Sequence, residues 1–263
     1  RDRLRSRGLG DVYKRQLLES LNEVVTKADN TVNLCVLLSK MKENASGLYT
    51  HSVNVALWGQ ILAGWMGYRE DMIEKVAITG ILHDIGILKF TQNELDDFSF
   101  HKELEMGAFS KHSMYGYELV KNKDLDQSIK QAVLTHHEHA DGSGFPLGVD
   151  NKSLNPIQRV IEIADVYDTL LMREPGFKRM SPFEVLIHLN EVEGNKYDPS
   201  ALLIFTSRLA QTFIQCRVRL NNGQEGKIVL FNNYSILRPL IQVGSGFVDL
   251  ALRKDLNIVE LLD

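Results

Sequence analysis

Between Leu17 and about Glu191 the apolar positions recur mostly at helical spacing, as in Leu17, Leu18 and Leu21, then Val53, Val55, Ala56 and Ile61, and later Val160, Ile161, Ile163 and Ala164. The pattern predicts an all-helical body. Two helix starts have a local cause. Ser181-Pro182-Phe183-Glu184 combines a side-chain cap, a proline at the first helical position and a glutamate that can reach back, and Asp198-Pro199 repeats the cap-then-proline order. The stretch from Asp141 to Pro156 contains three glycines and two prolines, so it reads as a loop of about 15 residues, long enough to suggest a function. Beyond about Gln215 the period changes. Cys216 to Leu220 alternates, Asn222-Gly223 is a turn signal, and Lys227 to Phe231 is a short apolar run. Pro239 to Val243, Phe247 to Leu252 and Asn257 to Leu262 supply further strand candidates, for three to five strands in all. The expected fold class is therefore mainly α: a helical bundle followed by a small β-rich C-terminal unit that serves packing or partner contact.

Composition narrows the function classes. The 263 residues are 44% hydrophobic and 24% charged, enough for one core without help from disulfides or metal, so a metal would need a functional reason. Cys35 and Cys216 form neither a disulfide framework nor a thiolate zinc site and suit a reducing cytosol, so a cytoplasmic location is expected. The most apolar stretch, Val53 to Met66, is interrupted by Asn54 and Gln60, which argues against a membrane span. A net charge of −4 argues against a general DNA or RNA binder. That charge is uneven: residues 1–16 hold six basic and two acidic side chains, which leaves −8 for the rest. With no periodicity or caps, residues 1–16 read as a non-native basic tail. The expected organisation is then a helical segment over 17–47, a main helical domain over 48–213 and the β-rich unit over 214–263.

The histidines carry the chemistry. His83-Asp84 follows the apolar run Val76 to Leu82, Asp165 ends the run Val160 to Ala164, and His136-His137 closes Ala132 to Thr135. Buried carboxylates and imidazoles need partners, and a cation meets that need. Adjacent helical residues point about 100° apart, so His136 and His137 can embrace one ion only near a helix end, which the loop at Asp141 supplies. Imidazole with carboxylate and no thiolate suits Fe, Mn, Zn, Ni or Co. With His51 and His112 there are seven such groups, too many for one closed tetrahedral site, so two ions are implied. A metal pair about 3.5–4 Å apart is suited to phosphate-ester hydrolysis.

Six blocks in order give a family resemblance. They are His51-Ser52-Val53-Asn54-Val55-Ala56; His83-Asp84-Ile85-Gly86; Lys111-His112 with Gly116; His136-His137-Glu138 with Asp141-Gly142-Ser143-Gly144-Phe145-Pro146; Ile163-Ala164-Asp165-Val166-Tyr167-Asp168; and Asn195-Lys196-Tyr197-Asp198-Pro199. Together they resemble the HD-GYP subfamily of the HD metal-dependent phosphohydrolase superfamily. The resemblance implies one ion at His51, His83, Asp84 and Asp165, and a second at His112, His136 and His137, with Asp84 bridging. Fe or Mn is favoured. Gly47 stands where some members carry a glutamate for a third ion. The His83-Asp84 pair is the catalytic candidate, Asp141, Gly142, Gly144, Phe145 and Pro146 form the signature loop, and the implied reaction is hydrolysis of cyclic di-GMP to pGpG or GMP by a metal-bridging hydroxide. Implied partners are the cyclic dinucleotide, diguanylate cyclase domains meeting the loop, and a second copy of the chain as homodimer.

The sequence departs from the family where the substrate phosphate would be held. The family's HDxGK lysine is Ile87 here, and the nearest cation is Lys89. Glu174 and Phe177 stand where the family has arginines, with Arg173 and Lys178 one residue away. Lys89, Arg173 and Lys178 are thus the candidate substrate-binding cations. Two alternatives follow from these departures: a degenerate regulatory or binding module with little catalysis, and an HD-type hydrolase of another nucleotide phosphate ester.

Overall fold

The computed structural model describes residues 48–90, 110–172, 180–232 and 235–262. The sequence readings for 1–16 and 17–47, and those for Arg173, Glu174, Phe177 and Lys178, lie outside them. The chain runs through α1 (Leu48–Trp65), α2 (Glu70–Leu82), a 3-10 turn (Ile85–Lys89), α3 (Lys111–Val120), α4 (Gln127–Thr135) and α5 (Pro156–Met172). Then come α6 (Pro182–Ile187), a π turn (His188–Val192), a second 3-10 turn (Gly194–Lys196) and α7 (Pro199–Gln211). Five strands follow, β1 (Arg217–Leu220), β2 (Glu225–Asn232), β3 (Ser235–Val243), β4 (Gly246–Asp249) and β5 (Ile258–Leu261). This is the expected order, a helical body followed by a small sheet.

The hydrophobic effect places α1 and α5 at the centre. Val55, Trp58 and Leu62 of α1 and Ile157, Val160, Ile161, Ala164 and Tyr167 of α5 are fully enclosed. Trp58 meets Tyr167 edge-on at 4.9 Å between ring centroids and Phe205 of α7 at 6.1 Å. Both expected caps are present. The Ser181 side chain accepts from Glu184 N while the Glu184 carboxylate accepts from Ser181 N, and Asp198 accepts from the Ser200 and Ala201 N–H groups.

The sheet is antiparallel in the order β4-β3-β2-β1-β5. The β1–β2 hairpin turns at Asn222-Gly223, with Gly223 at φ +84°, and β5 returns to pair with β1. Its enclosed residues, Val218, Leu220, Ile228 and Ile241, belong to the same core as the helices. Phe183 of α6 joins the two layers, 5.8 Å from Phe213 and 6.3 Å from Phe231 by ring centroid.

Candidate metal centre

Five helices end or pass at one place. The buried run Val76 to Gly80 on α2 carries its C-terminal cap, His83, and the next residue, Asp84, into the interior, where they are 0% and 4% exposed. After Asp84 the chain tightens into the 3-10 turn, and Gly86 lies flat against α3. A Cβ at Gly86 would collide with the carbonyl oxygen of His112 and the amide nitrogen of Gly116. That close approach brings Asp84 to His112. Helix α4 stops at His136, so His136 and His137 lie where the helix ends. His51 comes from the first turns of α1 and Asp165 from the middle of α5.

The polar atoms form two clusters, one of Asp84, His112, His136 and His137, the other of His51, His83 and Asp165. His112 Nε2 stands 3.0 Å from His136 Nε2 and 3.1 Å from His137 Nε2. His51 Nε2 is 3.0 Å from Asp165 Oδ1, and His83 Nε2 is 3.8 Å from the same oxygen. Asp84 faces both clusters with different oxygens. Its Oδ1 lies 3.2 Å from His112 Nε2 and 3.7 Å from His136 Nε2, and its Oδ2 lies 3.3 Å from His83 Nε2 and 3.9 Å from His51 Nε2.

The sequence profile described as HD domain matches residues 35–201, which holds all of these elements up to the start of α7. The chain belongs to the HD-domain family. A cyclic di-GMP phosphodiesterase of Pseudomonas aeruginosa is 23% identical over 92% of this chain and 58% of its own length. A cyclic di-GMP phosphodiesterase response regulator of Xanthomonas campestris is 26% identical over 75% of this chain and 53% of its own. A 3'3'-cGAMP-specific phosphodiesterase of Vibrio cholerae is 27% identical over 72% and 44%. The chain thus spans about half the length of the curated relatives it matches. Among solved structures, an HDGYP protein from Bdellovibrio bacteriovorus shares the fold at a TM-score of 0.52 and 19% identity, covering 74% of this chain and 69% of that one. The HD-GYP resemblance drawn from the six blocks is supported by these matches.

HD phosphohydrolases depend on metal, and the donor set of this HD domain fits cations. Two nitrogens about 2.1 Å from one ion, at octahedral to tetrahedral angles, stand about 3.0–3.4 Å apart. The His112–His136 and His112–His137 separations fall in that range. Among the described residues His83 Nε2 is buried with no hydrogen-bond partner, which a cation would satisfy. The opposite ring nitrogens are tied back: His83 Nδ1 to Gly80 O at 2.7 Å, His136 Nδ1 to Val133 O at 2.9 Å and His51 Nδ1 to Asp168 Oδ2 at 2.7 Å. With Nδ1 as donor in each, Nε2 presents its lone pair to the cluster.

The electrostatics differ between the two clusters. Burial alone would raise the Asp84 carboxyl, but His83, His136 and His112 hold it well below the usual carboxylate range. Burial would lower the His51 imidazole, yet hydrogen bonds and charge from Asp165 and Asp168 keep it well above its ordinary value. Desolvation, with repulsion from His136 and His112, holds His137 well below its ordinary value, which favours the neutral, ligating form.

The signature loop closes on this HD centre at His137, its half-buried member. The Phe145 ring stacks on the His137 ring at 4.7 Å and 29°, and Phe145 N donates to His137 O. Gly144 permits this, because a Cβ there would strike His137 O and the Glu138 backbone. Asp141 accepts from Ser143 N and Oγ, which shapes the loop's first turn next to Gly142, and Pro146 leads into the residues that bind Glu138. Sequence reasoning gave Glu138 and Asp168 no role. The carboxylate of Glu138, fully enclosed, accepts from the N–H groups of Leu147, Gly148 and Val149 at 2.5–3.2 Å. The signal for Asp168 was its spacing, one helical turn after Asp165. Lys89 ends the 3-10 turn with its ammonium 5.8 Å from the centroid of the Tyr115 ring, and Ile87 is buried at 5% exposure.

Proposed function

We propose that this HD domain is a metal-dependent phosphodiesterase that hydrolyses a cyclic dinucleotide, with cyclic di-GMP, converted to pGpG or GMP, as the leading substrate. The observation that carries the reading is the pair of donor clusters facing the two oxygens of one carboxylate. The activities named for the relatives support the substrate class. His51, His83, Asp84 and Asp165 would hold one divalent cation, and Asp84, His112, His136 and His137 a second. Fe or Mn is favoured, and Zn, Ni or Co also suits these ligands. Bound ions would supply Lewis-acid polarisation of a phosphoryl oxygen, activation of water near neutral pH and neutralisation of phosphate charge. The chain's own part is to fix seven donors in an enclosed site and to wall one side of it with Phe145. The cytosolic setting, cyclase contacts at the loop, homodimerisation and the boundaries at 17–47, 48–213 and 214–263 belong to the same proposal.

A second reading rests on Ile87. The position of the family lysine carries a buried apolar side chain, and the nearby Lys89 leans on Tyr115. That favours a regulatory module that binds metal or nucleotide with little turnover. One experiment separates the readings: protein purified without oxygen is analysed for metal, and the same sample is assayed with cyclic di-GMP, 3'3'-cGAMP and mononucleotides. Hydrolysis of a cyclic dinucleotide supports the enzyme. A metal-loaded sample with no turnover of any of them overturns it, and activity gained by Ile87→Lys would then support the degenerate module.

A further inference from the structure

Behind the metal centre, His51 is held differently from its neighbours. His83 and His136 turn Nδ1 to backbone carbonyls, whereas His51 turns it to the carboxylate of Asp168 at 2.7 Å. Both partners are enclosed, His51 at 4% and Asp168 at 1% exposure. Asp165 and Asp168 lie one turn apart on α5, so one rigid helix offers the first carboxylate to Nε2 and the second to Nδ1 of the same imidazole. A carboxylate at Nδ1 commits one ring proton to that side, so that Nε2 is the nitrogen able to give its lone pair to a cation. It also raises the basicity of Nε2 as a ligand more than a carbonyl does.

We propose that Asp168 is a positioning residue for the His51/His83/Asp165 end of the centre, acting through His51 on the affinity of that cluster alone. The proposal rests on the metal-centre reading above. Replacing Asp168 by asparagine keeps the shape of the side chain but lets an amide N–H donate to Nδ1, which moves the ring proton to Nε2, where it blocks a cation.

The test measures Zn(II) affinity by chelator competition in two backgrounds. His137→Ala disables the far cluster, and Asp165→Ala disables the near one. Asp168→Asn is expected to weaken Zn(II) binding roughly 10–100-fold in the first background and by less than about twofold in the second. In the metal-free full chain, heteronuclear NMR should show a proton on His51 Nδ1 in wild type, whatever the occupancy of Nε2, and loss of that Nδ1 proton in Asp168→Asn. Equal losses in both backgrounds, or no loss in the His137→Ala background, would overturn the proposal. A wild-type chain that binds no Zn(II) would overturn the metal reading with it. Normal metal binding without dinucleotide hydrolysis overturns the proposed activity and leaves the role of Asp168 standing. If Asp168→Asn does not fold, Asp168→Ser, which can still accept from Nδ1–H, should retain part of the affinity in the His137→Ala background, and full retention would overturn the proposal.

Discussion

Asp84 decides more than any other single residue, because its two oxygens serve different clusters. Asp84→Ala should therefore strip metal from both ends of the centre, whereas Asp165→Ala should spare the His112/His136/His137 end. Elemental analysis of the purified variants checks this, and unchanged stoichiometry in Asp84→Ala would contradict the assignment. Glu138 acts on the loop. Removing its carboxylate in Glu138→Ala leaves three N–H groups without their acceptor and should cost about 1–3 kcal/mol, with faster proteolysis between residues 141 and 149. Five of the seven clustered side chains, His83, Asp84, His136, His137 and Asp165, were legible in the sequence because a charged or imidazole side chain at an apolar run is anomalous, and His51 and His112 through the family blocks. Glu138 and Asp168 were not, because what each holds lies 9 to 11 residues along the chain or, for His51 and Asp168, 117 away.

Helix caps were legible because their chemistry is local: Ser181 with Glu184, and Asp198 with Ser200 and Ala201, are separated by two or three residues. The direction of Lys89 was not. Treated as α-helix, positions 87 and 89 differ by about 200°, but the segment winds as a tighter 3-10 turn of about 120° per residue. What sets that winding is a tertiary contact, Gly86 on α3, which no local pattern reveals. Gly86→Ala tests the contact. The added methyl meets backbone of His112 and Gly116 with no flexible side chain to yield, so the turn must shift away from α3 and take Asp84 from His112. The expected result is a loss of at least about 1–3 kcal/mol in stability together with depletion of metal at the His112 cluster, whereas Gly64→Ala, which meets nothing within 4 Å among the described residues, should leave metal content unchanged.

At the scale of the molecule, the loop and the C-terminal half are tied together at Asp198. Arg159 of α5 reaches the Asp198 carboxylate at 3.3 Å and the carbonyls of Asn151 and Leu154, while Ala140 N donates to Lys196 O. Burial would raise the Asp198 carboxyl, but the Ala201 N–H, Asn151, Arg159 and the Ser200 N–H outweigh it and hold it below the ordinary value. Glu193 is likewise lowered, its desolvation outweighed by Lys196 and Tyr197. A carboxyl whose folded value is depressed binds fewer protons in the folded state. Its contribution is present above the unfolded value near pH 4 and is lost as pH falls through the folded value. Thermal denaturation of the metal-free chain should therefore show a midpoint that falls below about pH 4. Asp198→Ala should lose roughly 0.5–2 kcal/mol at pH 7 and show a shallower acid limb, because the stability it removes is the part that acid would have removed. An unchanged acid limb in this variant would mean that other carboxylates, those of the metal centre foremost, set the acid stability of the fold.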